Sequence, residues 1–123
     1  MKDKVKRMFT AILISYLVLV GVFYLVQRIM IYFPDTDKPD LSLYSSQNIT
    51  EMEVTTTDSA KLNGWRYIAD AGKPTLVFFH GNAGHYGHRI TEVLDYIQNG
   101  YGAVLVGYRG YGGNEGAPSE QGF

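Results

Sequence analysis

Residues 74–87 read Pro74-Thr-Leu-Val-Phe-Phe-His-Gly-Asn-Ala-Gly-His-Tyr-Gly87, and this stretch decides the fold. The apolar run from Thr75 to Phe79 shows no polar alternation, which predicts a strand buried on both faces, as in a parallel α/β sheet. The loop His80–Gly84 follows at once, and its glycines allow tight turns and close backbone approach to a small group. Because α/β proteins bind ligands where a strand meets such a loop, we expect the functional site here.

A helix and a second apolar strand follow this loop. The helix is predicted over residues 86–98 from four apolar residues at helical spacing, Ile90, Val93, Leu94 and Ile97. Asn99-Gly100 is expected to end it, since glycine readily forms a left-handed cap. Residues 103–106 then read as a strand. Strand, helix and strand in this order predict a βαβ unit with a right-handed crossover.

Two strands are also predicted upstream of the central stretch. Residues 49–57 alternate between polar and apolar side chains, and residues 62–68 form a second short run around Gly64-Trp65. Asp58-Ser59 between them is a turn signal, so the two runs predict an antiparallel hairpin. Trp65 is expected in the core.

The amino-terminal third predicts a membrane anchor. Residues 1–8 form a basic head, and Phe9 to Val26 is an apolar run of eighteen residues, long enough to span a bilayer. The run ends without the small residues that a signal-peptide cleavage site needs, so we expect it to be retained. Basic residues precede it and acidic residues follow it. The positive-inside rule therefore predicts a single-pass anchor with a cytoplasmic amino terminus and the remaining chain on the opposite side.

These patterns suggest three parts of the chain. The head and anchor occupy residues 1–33, and a stretch rich in Pro, Asp and Ser at residues 34–48 reads as a linker. A partial α/β domain is expected over residues 49–123.

Several function classes find no support in the residues. A net charge of -1 gives no basic face for nucleic acid. The sequence holds neither a Gly-x-Ser-x-Gly nucleophile elbow nor a phosphate-binding P-loop. His80, His85 and His88 are spaced as metal ligands could be, but no carboxylate or cysteine lies close in sequence to complete a set. We therefore expect no metal and no other cofactor.

Two interpretations of the loop His80–Gly84 remain open on spacing alone. One is an oxyanion hole, in which backbone N–H groups face the point where negative charge develops on a carbonyl oxygen. The other is a simple turn from strand to helix.

The whole chain resembles the membrane-anchored branch of the α/β-hydrolase superfamily. The resemblance rests on the membrane anchor and on five further segments: Ile31-Tyr-Phe-Pro34, Lys61-Leu-Asn-Gly-Trp65, Phe79-His-Gly-Asn-Ala-Gly84, Tyr108-Arg-Gly-Tyr-Gly112 and Glu115-Gly-Ala-Pro-Ser-Glu120. It implies a serine hydrolase acting on ester, thioester or acyl-lipid bonds.

The resemblance also implies roles for individual residues. The backbone N–H of Asn82 corresponds to one oxyanion donor, and His80 and Gly81 shape its loop. The turn from Arg109 to Gly112 supports the pocket. His85 stands where the family usually has asparagine. The family's Ser, acid and His follow later in its chain order, and no residue here corresponds to them.

The expected fold is therefore α/β: a transmembrane helix, then the hairpin and βαβ unit of an incomplete α/β-hydrolase, inactive alone. The strand at residues 75–79 is expected to form an apolar sheet edge, which is prone to pair with other chains. Two alternatives stay open. One is a non-catalytic membrane-tethered binding module, and the other is one half of a split hydrolase whose carboxyl-terminal half is encoded separately.

Overall fold

The computed structural model describes residues 2–120, and the chain divides between Ile31 and Tyr32 into two units. Met1 and the last three residues of the predicted domain lie outside the described residues. The first unit is one helix, α1 (Lys2–Ile31), and none of its residues is buried. Within residues 2–120 it is the one helix that is long and apolar enough to cross a membrane, judged by length and composition.

The second unit is built on a four-stranded sheet. Its strands are β2 (Thr50–Thr55), β3 (Lys61–Tyr67), β4 (Thr75–Phe79) and β6 (Gly102–Val106), in the order β2-β3-β6-β4. A second, two-stranded sheet joins β1 (Phe33–Pro34) to β5 (Ala83–Gly84) in parallel.

The predicted hairpin is confirmed. Strands β2 and β3 pair antiparallel, with Met52 opposite Gly64 and Glu51 opposite Trp65. Trp65 is 1% exposed and contacts Tyr44 and Tyr86 with both ring centroids 5.7 Å away. This indole therefore anchors the core on one face of the sheet, as expected.

The predicted βαβ unit is also confirmed. Strands β4 and β6 pair in parallel, and the helix α2 (Ile90–Gln98) connects them. The first turn of the predicted helix is a separate 3-10 turn, Tyr86–Arg89, so the α-helix begins four residues later than expected. Gly100 ends it with a φ of 80°, and its N–H donates to the Ile97 carbonyl. Apolar side chains of α2 pack into the same core as Trp65.

Strand β4 differs from the prediction in its burial. It is an edge strand of the four-stranded sheet, and its exposure alternates along its length. Val77 is 55% exposed and Phe79 is 65% exposed, so one face of the strand is open within the described part of the chain. The expectation of a strand buried on both faces was wrong here, because no described element covers the face that carries Val77 and Phe79. The expected apolar edge is present.

The segment predicted as a linker contains regular structure. A 3-10 helix spans Leu41–Gln47, and the side chain of Asp40 accepts a hydrogen bond from the Ser42 N–H at its start. Strand β1, which precedes this helix in the sequence, pairs with the distant strand β5. These contacts bring residues 33–36 to the glycine-rich loop.

Candidate functional site

The loop His80–Gly84 leaves the carboxyl end of β4 and is held from one side by residues 33–35. The Phe33 N–H donates to the Asn82 carbonyl at 2.8 Å, and the Asp35 N–H donates to the Gly84 carbonyl at 3.0 Å. Parallel pairing of β1 with β5 therefore fixes the second half of the loop. Such ordering suits a site whose backbone groups must be positioned in advance.

Two tyrosines hold the loop from another side. The Tyr108 hydroxyl donates to the His80 carbonyl at 2.9 Å, and the Tyr111 hydroxyl donates to the Asn82 carbonyl at 3.0 Å. Both rings also contact the imidazole of His80, with centroid distances of 4.1 and 5.1 Å. Tyr111, within the predicted support turn from Arg109 to Gly112, is fully buried. The turn thus contacts the loop directly.

His80 is buried between these tyrosines at 5% exposure. Its Nδ1 lies 2.8 Å from the Gly81 carbonyl oxygen, which can only accept, so Nδ1 carries the proton. Burial lowers the pKa of His80, which favours the neutral imidazole. The other nitrogen, Nε2, is buried and has no hydrogen-bond partner among residues 2–120. His80 is therefore a neutral donor to the loop and is not placed as a proton shuttle to another described side chain.

The hydrogen bond from His80 orients the peptide between Gly81 and Asn82. That peptide carries both the Gly81 carbonyl and the Asn82 N–H, which point in opposite directions because the peptide is trans. With the carbonyl held at the His80 ring, the Asn82 N–H is directed away from it. The imidazole thereby opposes a flip of this peptide, which would exchange a donor for an acceptor.

Gly81 is not required by the backbone conformation. Its φ is not positive, and a Cβ built on it would meet nothing within 4 Å. The side of the loop at Gly81 is therefore open within the described chain. This opening leaves room for a group that approaches the backbone.

A second cluster lies at the far end of the loop. The side chains of Asp35, His85 and His88 come together, with one potential ligand atom from each lying within 4.8 Å of the others. His80, grouped with the other two histidines by sequence spacing, is not part of this set. The carboxylate that seemed to be missing comes from about 50 residues earlier, and the pairing of β1 with β5 delivers it.

The sequence did not indicate that Asp35 lies beside the loop. The resemblance placed the turn from Arg109 to Gly112 at the pocket, but not the hydrogen bonds that Tyr108 and Tyr111 donate to the loop carbonyls. A two-residue strand such as β1 has no periodicity to detect, so nothing predicted that residue 35 would reach His85. The tyrosines lie in a glycine-rich segment whose turns can be predicted but whose contacts cannot. The spacing between the two motifs was the one available signal, and it came from the resemblance.

Comparisons with known proteins support the same family. No family model matches the chain. The protein bem46 of Schizosaccharomyces pombe is 30% identical over 116 residues, covering 87% of this chain and 39% of its own length. The α/β hydrolase domain-containing protein WAV2 of Arabidopsis thaliana is 37% identical over 70 residues, covering 54% of this chain and 23% of its own. An uncharacterised membrane protein of Saccharomyces cerevisiae, YNL320W, is 33% identical over 88 residues, covering 71% and 30%.

A solved structure shares the fold. The α/β hydrolase GrgF from Penicillium sp. sh18 superposes with a TM-score of 0.50 at 25% identity, over 57% of this chain and 25% of its own. The chain spans about two fifths or less of the length of the relatives it matches. The matched part of the chain therefore corresponds to part of a hydrolase fold. The chain is thus related to the α/β-hydrolase superfamily.

Proposed function

We propose that this chain carries the oxyanion-binding loop of a serine hydrolase that cleaves ester, thioester or acyl-lipid bonds. The donor is the Asn82 N–H, and His80 and Gly81 shape the loop around it. The observation that carries the proposal is the 2.8 Å contact between His80 Nδ1 and the Gly81 carbonyl, which fixes the direction of that N–H. An oxyanion donor must already be oriented before charge develops, since reorienting it during the reaction costs rate.

The 123 residues alone are proposed to be inactive. They contain no Gly-x-Ser-x-Gly segment, so the serine, the acid and the catalytic histidine belong to residues outside them. Two features of β4 support this proposal. It lies at the edge of the described sheet, and Val77 and Phe79 expose an apolar face of a kind that a parallel sheet normally covers. We propose that a strand of the polypeptide that bears the nucleophile pairs with the open edge of β4. This strand belongs either to a longer form of the same chain or to a separately encoded half of the hydrolase.

Fluorophosphonate labelling tests this function. Membranes containing the protein are treated with a biotinylated fluorophosphonate, and captured proteins are digested and sequenced. We expect peptides of residues 1–123 to be captured together with a labelled serine outside them. A labelled serine within residues 1–123, or no capture with any labelled protein, contradicts the proposal.

The loop is tested by comparing labelling rates in the same membranes. Loss of a single oxyanion donor costs roughly 10²–10³-fold in rate. His80→Ala should approach that loss because it releases the Gly81–Asn82 peptide. Gln98→Ala is the control, since Gln98 is exposed at the end of α2. Equal rates in the His80 variant and the parent would show that the loop does not bind the oxyanion.

We also propose that α1 anchors the protein in a membrane, with its amino terminus in the cytoplasm and the hydrolase-like unit on the opposite side. The support is the length and apolar composition of α1, the membrane-protein relative, and the distribution of charge. Four basic residues precede the apolar run, namely Lys2, Lys4, Lys6 and Arg7. Basic residues favour the cytoplasmic side.

The orientation can be tested by cysteine labelling, because the chain has no cysteine of its own that would react. Single substitutions Lys4→Cys and Ser46→Cys place a thiol before and after the apolar run at residues 9–26. We expect a membrane-impermeant maleimide added to intact cells to label the Ser46 variant only. Labelling of the Lys4 variant instead would indicate the opposite orientation. Recovery of both variants in the soluble fraction would exclude the membrane anchor.

A further inference from the structure

The geometry points to a zinc site formed by Asp35, His85 and His88, beside the glycine-rich loop. Two imidazole nitrogens and one carboxylate oxygen are a ligand set that zinc uses when a fourth position stays open. The set is assembled from two distant parts of the chain. Asp35 follows β1, while His85 caps the 3-10 turn Tyr86–Arg89 and His88 lies within it.

The distances between the Asp35 carboxylate and the two imidazoles suit a bridging cation better than direct hydrogen bonds. Nε2 of His85 and Nε2 of His88 lie 3.7 and 3.6 Å from Oδ2 of Asp35. These separations are too long for hydrogen bonds. Ligand atoms about 2.0–2.1 Å from a tetrahedral zinc lie roughly 3.3 Å from one another. A shift of a few tenths of an ångström therefore brings both nitrogens to the separation that zinc requires from the carboxylate.

The carboxylate is already oriented by a neighbour. The Asp37 N–H donates to Oδ1 of Asp35 at 3.0 Å, which leaves Oδ2 directed at the histidines. Hydrogen bonds to the remote atom of a ligand commonly fix its orientation in metal sites. Asp35 is also held through its backbone, because its N–H donates to the Gly84 carbonyl beside His85.

The two imidazoles must rearrange before both can bind one metal ion. Their rings stack with centroids 3.7 Å apart, so coordination by both Nε2 atoms requires the rings to separate. His88 is the ring that moves, since its side chain is 52% exposed whereas that of His85 is nearly buried. The His88 N–H donates to His85 Nδ1 at 3.3 Å and to the His85 carbonyl at 3.1 Å. Coordination through Nε2 therefore also requires the His85 proton to move to Nδ1, and the His88 N–H then keeps its bond to the carbonyl alone.

The surroundings favour a cation and give it access to solvent. The three residues border an open cavity of about 290 Å³, where Asp37 and Asp40 add negative charge. Lys38 on the same cavity is paired with Glu51 at 2.8 Å, so its charge is offset. A water molecule can reach the fourth coordination position through this opening. Zinc bound here would tie the segment after β1 to the turn that follows the loop.

Metal titration of the full chain tests the site. The protein is purified in detergent without a histidine tag, stripped with chelator and titrated with zinc against a fluorescent zinc chelator. Cobalt is titrated in parallel, since its visible absorption reports the coordination geometry. We expect one zinc per chain and a tetrahedral cobalt spectrum.

Three variants make the test specific. His88→Gln and Asp35→Asn each remove one ligand while keeping the side chain's size, and each should weaken zinc binding by at least about tenfold. Asp95→Asn is the matched control, because Asp95 is exposed on α2 and does not line this cavity, and its affinity should stay unchanged. Fluorescence of the single tryptophan, Trp65, checks that every variant is folded. Failure of the parent to bind micromolar zinc, unchanged binding by both ligand variants, or an equal loss in the Asp95 variant overturns the inference.

Discussion

The side chain of Asn114 completes the backbone hydrogen bonding of Asn63 on strand β3. Its Oδ1 accepts from the Asn63 N–H at 2.7 Å, and its Nδ2 donates to the Asn63 carbonyl at 3.2 Å. One side-chain amide thus takes the place of a neighbouring strand. Asn114 is buried, so the glycine-rich segment after β6 is fastened to the sheet at this point.

Replacing Asn114 should destabilise the domain. Asn114→Leu removes both partners of Asn63 and leaves buried backbone groups unsatisfied, which costs about 1–3 kcal/mol of unfolding free energy. Urea unfolding followed by Trp65 fluorescence measures the change. Gln98→Leu is the control, because Gln98 is exposed at the end of α2. A loss no larger than that of the control would mean that water replaces the amide.

Buried His80 should make stability depend on pH. Burial lowers the pKa of this histidine in the folded state, so the unfolded chain binds the proton more readily. Its contribution is fully present above the unfolded pKa of about 6.5 and declines as pH falls from there towards the folded pKa.

Urea midpoints measured between pH 7.5 and pH 5 test this dependence. We expect a smaller decline in His80→Asn than in the parent, since asparagine keeps a donor near the Nδ1 position but does not titrate. His85, whose pKa is also lowered by burial, should account for part of the remaining decline. Identical slopes in parent and variant would show that His80 does not contribute.

Two glycines should differ sharply in their tolerance of alanine. A Cβ at Gly107 would collide with the Asn63 carbonyl and approach Asn114 Nδ2 to 2.5 Å, so Gly107→Ala should prevent stable folding. Gly81→Ala meets no atom within 4 Å and should change stability by less than about 0.5 kcal/mol. Thermal unfolding of the two variants in one detergent compares them directly. Strong destabilisation by Gly81→Ala would show that the loop is packed more tightly than described.

The exposed edge of β4 should promote self-association. Phe79→Lys places a charge on this edge, and edge charges oppose strand pairing between chains. We expect the light scattering of this variant to rise less steeply with protein concentration than that of the parent. Its unfolding midpoint should change little. Val54→Lys on β2, the opposite edge of the sheet, is the control and should have a smaller effect. Equal scattering by the two variants would contradict a special role for β4.

The helices and strands whose apolar residues recur at a regular spacing could be predicted from the sequence. Alternation defined the hairpin, and helical spacing placed Ile90, Val93 and Ile97 on the buried face of α2. The open face of β4 was not predicted, because an apolar run does not reveal whether other elements cover both faces of the strand. The fold class followed from element order and from the resemblance.

The candidate site depended on contacts that no local pattern reveals. His80, Gly81 and Asn82 were identified by motif, and their role as an oxyanion loop stays a prediction. The partners that hold this loop, Tyr108 and Tyr111, come from another part of the chain. Asp35 reaches the histidines only through the two-residue strand β1, whose pairing is a property of the folded chain.

That pairing also has a consequence for the order of folding. Phe33 and Ala83 are about 50 residues apart, so joining them closes a long segment of chain at a substantial entropic cost. The hairpin of β2 and β3 closes only a short turn and can form much sooner. Nascent chains must also await synthesis of Ala83 before β1 finds its partner. The loop geometry should therefore be acquired late, after the hairpin has already collapsed around its tryptophan.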